Sequence, residues 1–400
     1  MTERLYYDNA YLTEFTARVT SCGEAEGGKF LVRLDASAFY PTSGGQPYDE
    51  GTIDDAVICD VIAEDDGDVA HIVDRPLPVG KEVSCKIDWA RRFDHMQQHA
   101  GDHMLAGCIY RVFGGHTIGL HIGHQDSSID VEFPDGRTHL KGADIEMLED
   151  MVNAIIQKDV PIRCWFPDEN ELKTLPLRKA PTVDSHIRVV RIGDDEFCAC
   201  GGTHPSTSGQ VGVFKLTDVR PSRGKIRFTF VAGGRANRLF RAQMDAFKKV
   251  NALLSADIDT AVSAAETVLA RLKDCEYHLQ QEKNARAMEK ADAAAENAPV
   301  IGSIKIVKLL LDGAEGETLK ETALHIISSP ARVALVGSRT DSGIQLLFTR
   351  SADVDIAMGP LLASSVKPFG GKGGGRPDFA GGSCPAEEAL DKAMEILSQN

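Results

Sequence analysis

Two short stretches, well separated along the chain, carry side chains that could hold a metal ion: His99-Ala-Gly-Asp-His103 and Cys200-Gly-Gly-Thr-His204. In the first, two histidines stand four residues apart in a segment with enough Met, Leu and Ala to be helical, so both imidazoles project from one face. In the second, Gly-Gly lets the backbone turn tightly enough to bring a thiol and an imidazole to one point. Three nitrogens and one sulfur suit a borderline-soft divalent ion, Zn2+ above all, in four-fold coordination. His95, one turn before His99, shares the helical stripe, whereas His116, His121 and His124 fall in an alternating run and read as surface or supporting groups.

Two further stretches could bind rather than ligate. Phe39-Tyr-Pro-Thr-Ser-Gly-Gly-Gln46-Pro47 reads as a tight connection between strands. Either it is a plain loop with a polar tip, or Gly44 and Gly45 let the backbone approach a ligand while the Gln46 amide offers a donor and an acceptor. The glycine-rich run Phe369–Ser383 fails the phosphate-loop pattern, because Lys372 is followed by Gly373 rather than Ser or Thr, so nucleotide hydrolysis is not implied. It reads as a binding loop whose backbone amides, beside Lys372 and Arg376, could cradle phosphates.

These residues need elements to position them. Short apolar groups from Leu5 to Trp89, spaced by Gly, Asp and Pro, predict a small β barrel or sandwich over residues 1–89 that carries the Gly-Gly-Gln loop. A helix from Arg91 to about Tyr110 holds the histidines. Strands around His116–Phe133, a helix over Gly142–Lys158, and strands at Ile162–Phe166, Ile187–Ile192 and Arg227–Ala232 make residues 90–234 an α+β core with the metal site where helix and sheet meet. From Arg235 to Ala298 there is neither Gly nor Pro, and Ser255–Thr260 would restart a helix. Residues 235–298 are therefore expected to form two long, coiled-coil-like helices in a hairpin, with an exposed, Ala-rich last part, serving as a spacer or dimerising arm. Residues 299–400 read as a compact α/β domain: strand Ile304–Leu310, helix Glu317–Ile327, strands Val333–Val336 and Ile344–Phe348, and a helix from Pro385. The fold class expected is α+β.

Composition narrows the classes of function. The chain has 400 residues, 42% of them hydrophobic, with no apolar run long enough for a bilayer, so no membrane association is expected. The N-terminus lacks a basic region followed by an apolar core, and nine cysteines in no repeating framework fit reduced thiols; a cytoplasmic location is expected. A net charge of −15 excludes indiscriminate nucleic-acid binding. Between Gly201 and Val250, however, ten Lys or Arg, including Arg223 and Lys225, stand against two acids, Asp218 and Asp245. Such a run is either a solvated basic face or a track for a phosphate backbone.

Taken together, the Gly-Gly-Gln loop, His99-x-x-x-His103, Cys200-Gly-Gly-Thr-His204 and Gly370-Gly-Lys-Gly-Gly-Gly-Arg-Pro-Asp-Phe-Ala380 resemble the editing and C-terminal parts of alanyl-tRNA synthetase. With no synthetase catalytic domain ahead of them, the chain is similar to a freestanding alanyl-tRNA editing protein of the AlaX family, long form, over nearly its whole length. His-x-x-x-His with Cys-Gly-Gly-Thr-His also occurs, more loosely, in threonyl-tRNA synthetase editing domains. The resemblance implies deacylation of tRNA(Ala) mischarged with serine, with glycine a second candidate. It carries the zinc ligands onto His99, His103, Cys200 and His204, and the family's glutamine onto Gln46. It associates the glycine-rich domain with tRNA binding and dimer formation, so a homodimer is expected, with Lys372, Arg376, Arg223 and Lys225 as candidate tRNA contacts. Asp102 and Cys198 are departures; of the two thiols, only Cys200 has the right spacing to His204.

The implied task suits the chemistry. A synthetase pocket cannot strongly reject an amino acid that merely adds a hydroxyl, so a second site must remove the error. That site can spare alanine with buried polar groups that pair with the serine hydroxyl, each left unpaired at a cost of roughly 1–3 kcal/mol over a methyl; Gln46 and Thr203 are the candidates. The ester is activated, so placing a water and polarising the carbonyl can suffice without a covalent nucleophile. Four protein ligands close a zinc shell, which by general rule marks a structural ion; catalysis then needs one ligand to yield, or the ion to orient the aminoacyl group while a neighbouring water attacks. A non-enzymatic RNA-binding module with a structural zinc, a metallohydrolase of small molecules, and an editor of another mischarged tRNA, such as a threonyl-system substrate, are the alternatives.

Overall fold

The short apolar groups ahead of Trp89 alternate between inward and outward positions, as strands wrapped round a core must. In the computed structural model, which describes residues 1–65, 67–181, 186–194, 196–314, 316–341 and 343–399, six of them close a barrel. They are β1 (Glu14–Glu24), β2 (Phe30–Leu34), β3 (Gly51–Ile53), β4 (Ala56–Ala63), β5 (Val69–Val73) and β6 (Glu82–Ile87), in the order β1-β2-β5-β4-β3-β6, every pairing antiparallel. Buried Val19, Val32, Ile53, Val61, Val69 and Val83 help to fill it. The expected barrel is present.

The next helix, α1 (Trp89–Phe113), starts where the Asp88 carboxylate accepts from the Arg91 amide and stops at Gly114, whose φ of 65° is the left-handed cap that glycine favours. Every residue from His95 to Ile109 is buried, the mark of a helix enclosed on all sides rather than laid on a surface. Two of its glutamines are satisfied across the fold. Gln98 donates to the Ala232 carbonyl at 3.0 Å and accepts from the Ala232 amide at 2.9 Å, and Gln97 donates to the Gln210 carbonyl at 2.9 Å. Beyond it the chain forms β7 (His116–Ile122), β8 (Ser127–Glu132), α2 (Gly142–Gln157), β9 (Ile162–Trp165), β10 (Val189–Ile192), β11 (Glu196–Ala199), β12 (Phe214–Ser222) and β13 (Lys225–Ala232). The antiparallel sheet β12-β13-β8-β7 packs with α1 and α2 round one core that includes Leu105, Ile129, Leu148, Phe214 and Phe228. A smaller sheet, β9-β10-β11, delivers the chain to Cys200.

One buried ion pair ties the barrel to α1. Asp49 and Arg92 are both fully buried; the Arg92 Nε lies 2.9 Å from each Asp49 oxygen, and its remaining nitrogens donate to the carbonyls of Ala10 at 2.8 Å and Ala38 at 2.5 Å. The Tyr40 amide donates to Asp49 at 2.6 Å, so the carboxylate also anchors the loop ahead of Gln46.

By internal contacts the chain divides into two units, Met1–Lys249 and Val250–Asn400. Helices α3 (Gly234–Leu254) and α4 (Ala261–Glu296) occupy the segment predicted to be helical. The Ala-rich last part of α4 is mostly exposed, as expected, except for one stripe: Ala287, Ala291 and Ala295, four residues apart, are buried against β14 (Ile304–Asp312) and α5 (Gly316–Ile327). Small side chains let the helix lie close, so this face is packing surface.

The second unit continues with β15 (Arg332–Thr340), β16 (Gly343–Arg350), α6 (Met358–Val366), β17 (Lys372–Gly375), β18 (Phe379–Cys384) and α7 (Glu388–Gln399). Its sheet runs β14-β15-β16-β18-β17, with the two-residue strand Val300–Ile301 outside β14; β14 and β15 are parallel, joined by α5, and the other pairings are antiparallel. The glycine-rich run read as a binding loop is instead the hairpin β17–β18. Glycine is required there by close approach: a Cβ on Gly373 would sit 2.9 Å from the Leu362 side chain of α6, and one on Gly359 of α6 would sit 2.6 Å from the Gly375 carbonyl. All nine cysteines are free thiols. Among the described residues no helix is long and apolar enough to cross a membrane.

Candidate metal centre

The Gly-Gly-Gln loop reaches the site through its own turn. Ser43 and Gln46 exchange backbone hydrogen bonds of 2.9 and 3.1 Å across Gly44 and Gly45, whose φ values of 58° and 88° are both positive, as a type I′ turn requires. The Ile122 amide donates to the Gly45 carbonyl at 3.0 Å, and a Cβ on Gly45 would lie 2.1 Å from the Leu120 oxygen, so only glycine lets the turn dock on β7. Docking places the fully buried Gln46 amide against α1.

There the amide makes three bonds. The Thr203 backbone N–H can only donate, and it lies 3.2 Å from Gln46 Oε1, which sets the oxygen toward it; Gln46 Nε2 donates to Thr203 Oγ1 at 2.8 Å. The same Oε1 lies 2.8 Å from His99 Nδ1, so that nitrogen carries the proton and Nε2 keeps its lone pair. His99 Nε2 and His204 Nε2 each lie 3.4 Å from Cys200 Sγ, close to the roughly 3.3–3.6 Å that tetrahedral N and S ligands of zinc keep from one another. The donor atoms of His99, His103, Cys200 and His204 all fall within 4.8 Å of each other. Gly202 makes the convergence possible: a Cβ there would sit 2.2 Å from His99 Cε1.

The donor set fits a thiophilic divalent cation. Both ring nitrogens of His103 are buried without a hydrogen-bond partner, as is His204 Nδ1, and buried polar atoms are seldom left so unless something else satisfies them. Burial pushes the Cys200 thiol up, but the imidazoles of His99, His204 and His103 outweigh it and hold the thiol well below its ordinary range. Burial likewise pulls His103 down, and the Cys200 thiolate more than reverses this. Burial drives His204 to about 3, so it stays neutral. The thiolate and the neutral His204 ring are already in the form a metal takes, whereas His103 would give up its proton on binding one. His95, also buried and pushed down to about 3 by burial, lies outside the group.

The structure adds residues that the sequence did not single out. The Arg178 Nε donates to Glu196 Oε1 at 2.8 Å, and that oxygen stands 3.8 Å from His103 Nδ1. Glu196 and Cys198 alternate along β11 and so share a face, a period-two signal present in the sequence, and Cys200 follows just after the strand ends. Cys198 belongs to a second possible donor group, with His103 and Glu196. Arg188 clips the ligand turn by donating to the carbonyls of Gly202 at 2.8 Å and Cys200 at 3.2 Å. No local pattern marks it.

The donors open on a cleft of about 860 Å3. Gln46 and Thr203, expected to line it, are fully buried behind His99, bonded to each other and to that ring. Arg223 is exposed and Lys225 half-buried at the turn between β12 and β13, while Lys372 and Arg376 are exposed at the β17–β18 hairpin. The basic run is partly neutralised from outside its own segment: Arg227 meets Asp130 at 2.7 Å, Lys215 meets Glu149 at 2.7 Å, and Arg235 meets Asp94 at 2.7 Å. Replacing Gln46 with Ala is expected to weaken metal affinity by roughly 10–100-fold while the fold persists, the usual cost of losing the group that orients a metal-binding imidazole. Competition against a chelating dye measures it, and unchanged affinity would show that the Gln46–His99 bond does not orient the ligand.

The family described as the threonyl and alanyl tRNA synthetase second additional domain matches residues 187–228, and the DHHA1 domain matches residues 303–400. The chain is 33% identical to an alanine–tRNA ligase of Halobacterium salinarum and 30% identical to one of Halorubrum lacusprofundi, in each case over 98% of this chain and 43% of the relative. It thus spans less than half the length of these ligases. It is 29% identical to the alanyl-tRNA editing protein AlaX-L of Pyrococcus horikoshii, over 99% of this chain and 98% of that protein. Among solved structures, the C-Ala domain of Aquifex aeolicus alanyl-tRNA synthetase aligns with 26% of this chain and 96% of its own, at 21% identity and a TM-score of 0.24. An editing protein is thus matched from end to end and each of the two domain families finds its match, so the chain is similar throughout its length to the long form of the alanyl-tRNA editing proteins.

Proposed function

We propose that this protein is a zinc-dependent deacylase that hydrolyses the ester of tRNA(Ala) mischarged with serine, with glycine the second candidate, and so guards translation fidelity in the cytoplasm. The observation that carries the reading is the four-donor group with orphaned imidazole nitrogens at the wall of a cleft far larger than one amino acid. Zinc held by His99, His103, Cys200 and His204 would supply a Lewis acid that polarises the ester carbonyl or fixes the aminoacyl group. The chain's own part is orientation. Gln46 holds the His99 proton on Nδ1, Arg188 clips the turn that carries Cys200, and the Arg178–Glu196 pair backs His103. Polar groups of the cleft that pair with the serine hydroxyl would be left unpaired over alanine, which is how an editing site spares the correct ester.

The four-ligand shell favours one competing reading, a structural zinc in an RNA-binding module without activity. In either reading Arg223, Lys225, Lys372 and Arg376 are the proposed phosphate contacts on tRNA(Ala), and the helical segment 235–298 is the proposed spacer or dimerising arm. A second copy of the chain is the proposed partner, supported by exposed Val268, Leu272, Cys275 and Leu279, which recur along α4 at coiled-coil spacing. Incubation with Ser-tRNA(Ala) and Ala-tRNA(Ala), with and without a chelator, tests the activity. Chelator-sensitive loss of the serine ester alone is expected. No loss of that ester sinks the enzyme, and equal loss of both sinks the specificity. Sedimentation of the same preparation reads the dimer, and a monomer mass removes it.

A further inference from the structure

Besides the metal donors, the cleft carries aromatic and cationic groups that an amino acid would not need. Phe166 is 47% exposed there, and its ring meets Tyr7 edge-on at 5.5 Å. Guanidinium groups lie on the Tyr7 ring, that of Arg188 at 5.2 Å and that of Arg4 at 5.9 Å. The Tyr7 hydroxyl also comes within 3.5 Å of where a Gly201 side chain would begin, so this ring borders the turn that carries Cys200. Charge points the same way. Among the described residues the cleft is lined by Arg4, Arg178, Lys179 and Arg188 against one acid, Asp102, in a protein whose net charge is −15. A local field opposed to the global sign selects an anionic ligand, and exposed aromatic faces beside arginine are what an unpaired base stacks on.

We propose that Phe166 and Tyr7 form the seat for the terminal nucleoside of the acceptor end, with Arg4 and Lys179 receiving its phosphate, while the aminoacyl group extends to the metal donors. This assignment rests on the deacylase reading and names how that site holds its substrate. The amino acid alone is small and differs little between right and wrong esters; the nucleotide supplies the grip common to both. Stacking carries it because Phe166 has an open face, whereas Tyr7 is held between Phe166 and the two guanidinium groups.

The test uses the zinc-loaded full chain and a non-hydrolysable probe, 3′-deoxy-3′-(L-seryl)aminoadenosine 5′-monophosphate, against serinamide, which lacks the nucleotide. Calorimetry is expected to show the nucleotide probe binding far more tightly than serinamide. Phe166→Ala, which truncates an exposed side chain and leaves the core intact, should weaken the probe by roughly 5–100-fold, the worth of one stacked base, and Phe166→Trp should restore it. Equal binding of probe and serinamide by the wild type, or an affinity unmoved by Phe166→Ala, overturns the seat; if that same protein still deacylates Ser-tRNA(Ala), the deacylase reading stands. A wild type that neither deacylates Ser-tRNA(Ala) nor binds the probe removes both.

Discussion

Cys200→Ala, or removal of the metal by a chelator, will lower the rate of Ser-tRNA(Ala) deacylation by about a thousand-fold or more, since a bound metal contributes several kcal/mol to stabilising developing charge and each 1.36 kcal/mol is tenfold in rate. Cys200 is the sole sulfur in the group and sits between two imidazole nitrogens at 3.4 Å. Three imidazoles remain in its absence, without the thiolate charge that makes the set attractive to a soft cation. Metal analysis beside the kinetics separates the outcomes. Stoichiometric zinc with undiminished hydrolysis would show that the ligands are misassigned. Lost zinc and a lowered melting temperature with full activity in the remaining folded protein would mark the ion as a structural brace.

Arg92→Ala should destabilise the N-terminal unit by about 3–5 kcal/mol, because it strands a buried carboxylate; for a unit of this size that corresponds to a melting temperature lower by about 6–20 °C. Asp49 keeps only the Tyr40 amide as a partner, and the Ala10 and Ala38 carbonyls lose their donor. The effect should reach the metal site, since Asp49 follows the Gly-Gly-Gln turn and Arg92 lies in the first turn of the helix that carries His99 and His103. The double replacement Asp49→Asn with Arg92→Met should be less harmful than Arg92→Ala alone, as it removes both charges together. Thermal melts read all three proteins. A loss under about 1 kcal/mol for Arg92→Ala, the range of an exposed pair, would show that the pair is solvated.

Much of the architecture was legible because its signals are local. Strand alternation before Trp89 and in the Arg227–Ala232 run, and the helical spacing of Leu148, Val152 and Ile155, express burial on one face. Helix α1 was readable as a helix but not as an enclosed one: Arg92, Gln97 and Gln98 look like surface residues until their partners at Asp49, Gln210 and Ala232 are in place. The glycines after Phe369 suggest a loop by propensity, yet the β18 partner and the pressure of α6 make the first of them an edge strand. Alanine gives no moment to a helix, so the buried stripe of Ala287, Ala291 and Ala295 was invisible.

The same division holds at the site. The four donors declare themselves by spacing, four residues on a helix and four across a Gly-Gly turn. Arg178, Glu196 and Arg188 do not, because each acts through a partner that only tertiary folding supplies. Gln46 was noticed for what its amide could offer a ligand, and the structure shows that offer taken up by His99 and Thr203.

The placement of the donors also bears on how the unit assembles. Joining His99 to Cys200 closes a chain segment of about a hundred residues that contains β7, β8, α2 and the sheet β9-β10-β11. A cross-link over such a span restricts the unfolded chain by roughly 4.7 kcal/mol in the loop-entropy description used for disulfides. An ion held at this point would therefore act as a removable covalent-style staple in a protein whose thiols are all free. Loading with metal would then be a closing step of folding as well as the preparation of a site.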